Sequence, residues 1–394
     1  MRAAAIAALG STLLAGTALA EGARVGALIP LTGGLQAYGE GSLNGMRLAA
    51  KEVNDAGGVL GGPLELVVGD TQTRAQPAID AAMRLVSVDG VAGILGALSS
   101  GNTIPVATTV SAPNQKPQIS NASTAPAITT LDDGDFLFRT APSDAYQGIV
   151  LAQLVADAGI GSVAVLYVNN DYGVGLAEAF AANYGGTVTA SAAFEPNKAS
   201  YRGELQSVAD GDPEALLLIA YPDDGGLLII RQSLEEGFFD RFVFTDGMKT
   251  AQLVDDIGAQ FMNGMFGTAP AAVESDASAR FAAAYEAEFG ELPPLPYIDS
   301  AYDAAMIMAL AIEKAGSTDG PAIRDALREV ANAPGEVVGP GDFAKAKELI
   351  AAGTDINYEG AAGSHDFDEN GDVTGTFEHW AVTDGAITTV EMIQ

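Results

Sequence analysis

The sequence predicts an α/β protein built as two similar lobes, and three observations carry that reading. Short apolar strands alternate with amphipathic helical runs from Arg24 onward, the rhythm restarts after an aromatic strand that ends near Pro142, and two adjacent strands each run into a hydroxyl-rich turn. Strands and helices alternating at this interval form parallel βαβ units with right-handed crossovers. The 394 residues, 48% of them hydrophobic, are enough for two domains of about 100–200 residues each.

Residues 1–20 read as a secretory signal. Arg2 is their only charge, the run that follows is small and apolar, and Ala18-Leu19-Ala20 has the small-x-small pattern of a cleavage site. The mature chain is therefore expected to start near Glu21 and to be exported. No later stretch reaches the ~20 apolar residues of a spanning helix, so no direct membrane insertion is expected. The chain has no cysteine, which excludes a disulfide-stapled scaffold and a thiol nucleophile. A net charge of −32 repels nucleic acid and anionic lipid, and both are excluded as partners.

In the first series, residues 25–30 form a strand, and the loop 31–39 contains Tyr38. A helix over 42–56 ends at Gly57-Gly58, with a strand over 64–68, a helix over 77–86 and a strand over 91–95 behind it. Behind a Ser143/Asp144 cap a helix spans 146–158 and opens the second series: strands at 163–168, 188–194, 215–220, 242–245 and 265–268, with helices at 175–184, 201–209 and 227–236 between them. Helices over 277–288, 297–315 and 321–330 return to the first lobe, and the tail makes a hairpin around Thr383-Asp384-Gly385-Ala386. Repeated passages between lobes suit a cleft that opens and closes.

The stretch 98–126 is the strongest candidate for a site. Ser99 and Ser100 open a helix after the strand 91–95, and Asn121 to Thr124 form a polar turn after the short strand 117–120, again opening onto a helical run. Hydroxyls and free N–H groups at the carboxyl edge of a parallel sheet attract an anion. On the residues alone Ser99 and Ser100 are both expected to cap the helix.

With these pieces in order, the chain resembles the type I periplasmic binding proteins of branched-chain amino-acid transporters, the Leu/Ile/Val-binding group. The matching segments are VGALIPLTGGLQAYGEGSLNGMRLAAKEVNDAGGVLGGPLELVVGD, ISNASTAP, VNNDYGVGLAEAF, the Ala220-Tyr221-Pro222 turn, FTDG and FDENGDVTG. The resemblance implies two Rossmann-like lobes joined by three hinge crossings, with an amino acid enclosed between them and passed to an ABC permease. The lobes would comprise 24–140 plus 272–374 and 141–271 plus 375–394. It places the carboxylate-binding serine on Ser100, second-turn contacts on Ala122 and Thr124, cleft tyrosines on Tyr38, Tyr172 and Tyr221, and the ammonium acceptor on Asp246. It implies a monomeric periplasmic protein with no cofactor, no metal and no enzymatic activity.

The residue chemistry agrees, since a zwitterion needs donors at one end and a carboxylate at the other, with aromatic cover for its apolar part. The first reading is a solute-binding protein for an aliphatic amino acid, branched-chain by resemblance. The alternative is a sensory or uptake protein for an amide, urea or related polar solute; an exported acidic hydrolase lacks a convincing carboxylate pair. Asp246 is one methylene shorter than the glutamate of well-known relatives, Asn121 stands where many have proline, and the loop after Tyr221 is slightly longer. Lys249 is placed to neutralise Asp246 or to reach a ligand oxygen.

Other motifs have plainer explanations. Asp366 to Asp372 matches half a calcium loop, but Phe377 occupies the position of the required glutamate, so a turn is expected. Ser364-His365-Asp366 cannot form a triad, because adjacent side chains diverge. The glycines at Gly33-Gly34 and Gly57 to Gly62 do not fit a dinucleotide loop.

Overall fold

The computed structural model describes residues 22–393; the expected signal segment lies outside the described residues. The first sheet contains β1 (Ala23–Ile29), β2 (Leu64–Asp70), β3 (Gly93–Gly96), β4 (Gln118–Ser120) and β5 (Leu137–Arg139), all parallel, in the order β2-β1-β3-β4-β5. Strand order reverses between β1 and β3. The loops leaving these two strands therefore flank the crevice where open α/β sheets hold ligands.

The second sheet repeats the plan. Strands β6 (Ser162–Val168), β7 (Thr187–Phe194), β8 (Ala215–Ile219), β9 (Phe242–Phe244) and β10 (Phe266–Pro270) run parallel, and order reverses between β6 and β8. The late hairpin adds to this sheet, its first strand Phe377–Thr383 running antiparallel to β10. The chain thus crosses between two Rossmann-like lobes three times: after β5, after β10, and before Phe377.

Helices α1 (Gln36–Asp55), α2 (Ala75–Ser87) and α3 (Ser100–Val106) cover the first sheet. They are joined by α4 (Asp144–Asp157) and α5 (Asp171–Asn183) on the second lobe. The helix α4 is capped as expected, the Ser143 hydroxyl accepting the Ala145 N–H at 3.2 Å. Each lobe has its own apolar core, around Met46, Ile307 and Met308 in the first and Leu166, Leu217 and Phe244 in the second.

Several expectations are corrected. Helix α1 begins six residues earlier than predicted, so Tyr38 sits on a helix and not in a loop. Its glycines lower local helix propensity, but Gly45 lets α1 lie directly on the helix Ile298–Ala315, where a Cβ would come within 2.4 Å of the Ile298 carbonyl oxygen. The run after Thr124 forms only a 3₁₀ turn, Pro126–Thr130. Unforeseen elements are two short helices between Gln252 and Met262, the helix Phe343–Ala351, and a parallel ribbon pairing Glu336–Val338 with Ile356–Tyr358. These are three- to nine-residue pieces, too short to present a periodic pattern.

Candidate functional site

The loops at the two switch points face each other across a closed cleft. Ser100 and Ala122 contribute from the first sheet, with Tyr38 from α1; Tyr172, Tyr221 and Asp246 contribute from the second lobe. These six predicted residues line one cavity of about 20 Å³, room for roughly one water. The first-lobe residues Leu35, Leu98 and Tyr297 belong to the same apolar cluster as the second lobe's core, so the lobes are in direct apolar contact across the cleft. A ligand of amino-acid size enters only when they part.

Hydrogen-bond direction gives each group a chemical role. The Ala125 N–H donates to Ser100 Oγ at 3.1 Å, and among the described residues no acceptor takes the Ser100 proton. Ser100 therefore presents a donor. Ser99 corrects the capping expectation: its backbone has N-cap geometry, but its hydroxyl accepts no helix N–H, and the residue lines the cavity. Thr124, the seventh predicted residue, does not line the cavity; it donates its proton to Asp144 Oδ2 at 2.8 Å. A hydroxyl has one proton, so its side chain is left only as an acceptor, and only its amide remains as a donor to a carboxylate.

Asp246 follows β9 and is the acidic centre of the second lobe. Its Oδ1 accepts from Tyr172 Oη at 2.8 Å and Gln147 Nε2 at 3.1 Å, and its Oδ2 from Tyr297 Oη at 2.7 Å. Burial raises its affinity for a proton, opposed by the hydrogen bonds from Tyr297, Tyr172 and Gln147. Burial pushes Asp144 well above the usual carboxylate range, and the negative charge of Asp246 adds to that; the Thr124 bond and Arg139 act the other way. Burial and then Asp246 likewise raise the phenols of Tyr38, Tyr172 and Tyr297, which stay protonated donors.

The tyrosines have distinct positions. Tyr172, on the first turn of α5, stacks on Tyr221 with ring centroids 5.4 Å apart and planes 13° apart. Tyr38 Oη reaches across the cleft to the carbonyl oxygens of Gly247 (3.2 Å) and Lys249 (3.0 Å). Tyr297 and Gln147 were missed by sequence reasoning. Tyr297 lies about 50 residues from its partner in the chain and has φ +75°, an uncommon value for a non-glycine residue; nothing in its local sequence signals either fact.

Lys249 is also corrected: its ammonium pairs with Glu378, leaving Asp246 without a lysine partner. A larger groove of about 1060 Å³ runs along the hinge past Pro142, Pro270 and Gly375, and Lys249 and Glu378 lie on its wall, bound to each other. The calcium-like segment is a turn, its Asp368 Oδ1 accepting the N–H groups of Asn370 (2.8 Å) and Asp372 (3.0 Å). His365 Nε2 lies 2.8 Å from Asp303, whereas Ser364 bonds Asp366, so these three form no triad.

Two switch points facing each other across a hinged cleft define a type I solute-binding fold. A model of the periplasmic binding protein family matches residues 22–371, and the chain belongs to that family, in its Leu/Ile/Val-binding group. It is 29% identical over 379 residues to the chemotactic signal transduction system substrate-binding protein BasB of Halobacterium salinarum, covering 94% of this chain and 89% of that one. The Leu/Ile/Val-binding protein BraC3 of Rhizobium johnstonii is 31% identical over 331 residues, 82% of this chain and 88% of its own. Among solved structures, a leucine binding protein LivK from Thermotoga maritima superposes with a TM-score of 0.80 at 26% identity, covering 94% of this chain and 99% of that one. Members of this family are solute-binding proteins, and among the described residues no helix is long and apolar enough to cross a membrane.

Proposed function

We propose that this protein is the periplasmic substrate-binding component of an ABC transporter, enclosing an aliphatic, branched-chain amino acid between its lobes and delivering it to the membrane permease as a monomer. The lobes divide at residues 24–140 plus 272–374 and 141–271 plus 375–394. The observation that carries the reading is the opposition of an uncommitted Ser100 hydroxyl on one lobe to the Asp246 carboxylate on the other, around one shared cavity. Only the closed form engages both ends of a zwitterion, so ligand binding shifts the population towards closure. Tyr38, Tyr172 and Tyr221 wall the apolar part, and Ala122 forms the floor of the carboxylate half.

The likeness to BasB supports a second reading, in which the closed form is delivered to a chemotaxis receptor. Titration calorimetry against a panel of aliphatic amino acids, short amides and urea tests the ligand class. Saturable heat with one or more aliphatic amino acids is expected; heat with an amide or urea alone would sink the amino-acid reading. Crosslinking of the loaded protein in cell envelopes, to a permease subunit or to a receptor, separates transport from sensing.

A further inference from the structure

The groove of about 1060 Å³ along the hinge is walled by all three crossings between the lobes: Pro142 from the first, Pro270 and Ala271 from the second, and Thr376 and Glu378 from the third. It is as large as pockets that take organic ligands, and its lining is more apolar than polar, with Phe281, Leu292, Leu295 and Val373 in the walls. Tyr297 lines both this groove and the cleft cavity, so the two spaces share a wall.

Two acceptors in the groove lack a donor that would match them. His365, only 1% exposed, stacks on Tyr358 with ring centroids 6.2 Å apart, and its Nε2 lies 2.8 Å from Asp303 Oδ2. Asp303 also accepts Tyr358 Oη at 2.7 Å and the amides of Ala361 and Ala362 at 2.8 and 2.7 Å. An ionised carboxylate can only accept, so Nε2 carries the ring proton and Nδ1 is left as a lone pair. That Nδ1 is buried without a partner, whereas buried polar groups are ordinarily paired. Asp299 stands one turn before Asp303 on the helix Ile298–Ala315, on the same face, and Asp303 thereby brings His365 beside it. Asp299 is half-buried and lines the groove; its Oδ1 accepts the adjacent Ser300 amide at 2.8 Å. Burial raises its proton affinity, the Ser300 bond opposes this, and the charge of Asp303 adds to it.

No side-chain cation in the groove answers this charge. Among the lining residues the one lysine, Lys249, is paired with Glu378, and there is no arginine. The exposed Glu274 and Asp276 also line the groove, and their charge favours a cation there. A carboxylate and an imidazole lone pair between apolar walls match a group that combines positive charge with N–H donors, which is a primary ammonium on an apolar body.

We propose that the hinge groove is a second ligand site, for an organic primary amine, whose ammonium donates to the Asp299 carboxylate and to His365 Nδ1 while its apolar part lies against the groove walls. The site is outside the cleft and does not depend on which ligand is enclosed there. Its occupant rests on all three crossings and against Tyr297, the residue that bonds Asp246 across the lobes.

The test is titration calorimetry at pH 7.5 with three probes: 2-phenylethylamine; 2-phenylethanol, which lacks the charge; and trimethyl(2-phenylethyl)ammonium, which keeps the charge without N–H donors. The wild type is expected to bind the amine saturably and at least tenfold more tightly than either analogue. No heat with the amine, or a smaller preference for it, would overturn the proposal. Asp299→Asn is expected to lose at least fivefold in amine affinity while its affinity for the alcohol is unchanged, a contrast that a general loosening of the groove would not produce. A smaller loss, or an equal loss for amine and alcohol, in a variant with a wild-type circular dichroism spectrum would also overturn it; if Asp246→Asn then abolishes amine binding, the amine occupies the cleft. Should Asp299→Asn not fold, His365→Phe, which keeps a ring on Tyr358 and removes Nδ1, decides by the same threshold.

Discussion

Replacing Asp372 by alanine should destabilise the first lobe more than any comparable change on the surface. Its partner Arg139 is completely buried, and Asp372 binds the guanidinium through Oδ1–Nε and Oδ2–Nη2 contacts of 2.6 Å each. The remaining guanidinium bonds go to the Ala125 carbonyl at 3.1 Å, to Thr129 Oγ1 at 2.9 Å and, weakly, to the Ser123 carbonyl at 3.4 Å. Removing the carboxylate leaves a buried charge with neutral partners only, a loss of about 3–5 kcal/mol for a broken buried pair. Against a typical total of about 5–15 kcal/mol that is a large fraction, and it corresponds to a fall of about 6–20 °C in melting temperature for a lobe of some 200 residues. Urea denaturation followed by circular dichroism measures it. Because Arg139 also holds the turn carrying Ala122 and Thr124, ligand affinity should fall together with stability. A loss below about 1 kcal/mol with an unchanged denaturant slope would refute the assignment of Arg139 as a buried cation dependent on Asp372.

Three further outcomes follow from the closed cleft. Gly34→Ala places a Cβ within 2.1 Å of Asp224 Cγ on the opposite lobe, where Asn197 holds the carboxylate at 3.0 Å; closure should become harder by about 1–3 kcal/mol, seen as weaker ligand binding and reduced ligand-induced compaction in small-angle scattering, with apo stability unchanged. Tyr297→Phe removes the bond to Asp246, worth about 1.5–3 kcal/mol for a charged acceptor; because it spans the lobes, calorimetry should register a comparable loss in ligand affinity, and an unaltered affinity would count against Tyr297 as a closing contact. The raised proton affinities of Asp144 and Asp246 mean that the folded state favours the neutral acid. Their contribution to apo stability is therefore fully present below the ordinary aspartate value, about 3.9, and is lost as pH rises through the raised folded value. Affinity for an ammonium ligand runs the opposite way, weakening as pH falls through that same value. Melting curves and calorimetry across pH 4–8, wild type against Asp144→Asn, should show the two opposed trends, and parallel trends would contradict the linkage.

Much of this was legible in the chain because it depends on local pattern. The alternation of strand and helix, the stops at Gly57-Gly58, the capped start of α4 and the helix Leu227–Glu236 all follow from periodicity and turn chemistry within a few residues of sequence. The fold puts Ser100 and Tyr172 on the first turns of helices and Tyr221 and Asp246 two residues past the ends of β8 and β9, each in a βα connection that the alternation of strand and helix makes legible.

Tertiary structure decided what those residues can do. Whether a hydroxyl donates or accepts depends on the partner that claims its proton. For Thr124 that partner is Asp144, 20 residues away, and for Ser100 the engaged neighbour is the Ala125 amide, 25 residues away. Glu378 took Lys249 from Asp246 across 129 residues, and Tyr297 reached Asp246 from a helix start whose sequence shows no sign of it. Residue types and local order specify a cleft with hydroxyls, tyrosines and one carboxylate. The direction of its hydrogen bonds and the balance of its buried charge arise only when distant segments meet, because each donor has one proton to give and each buried charge must find its partner in space.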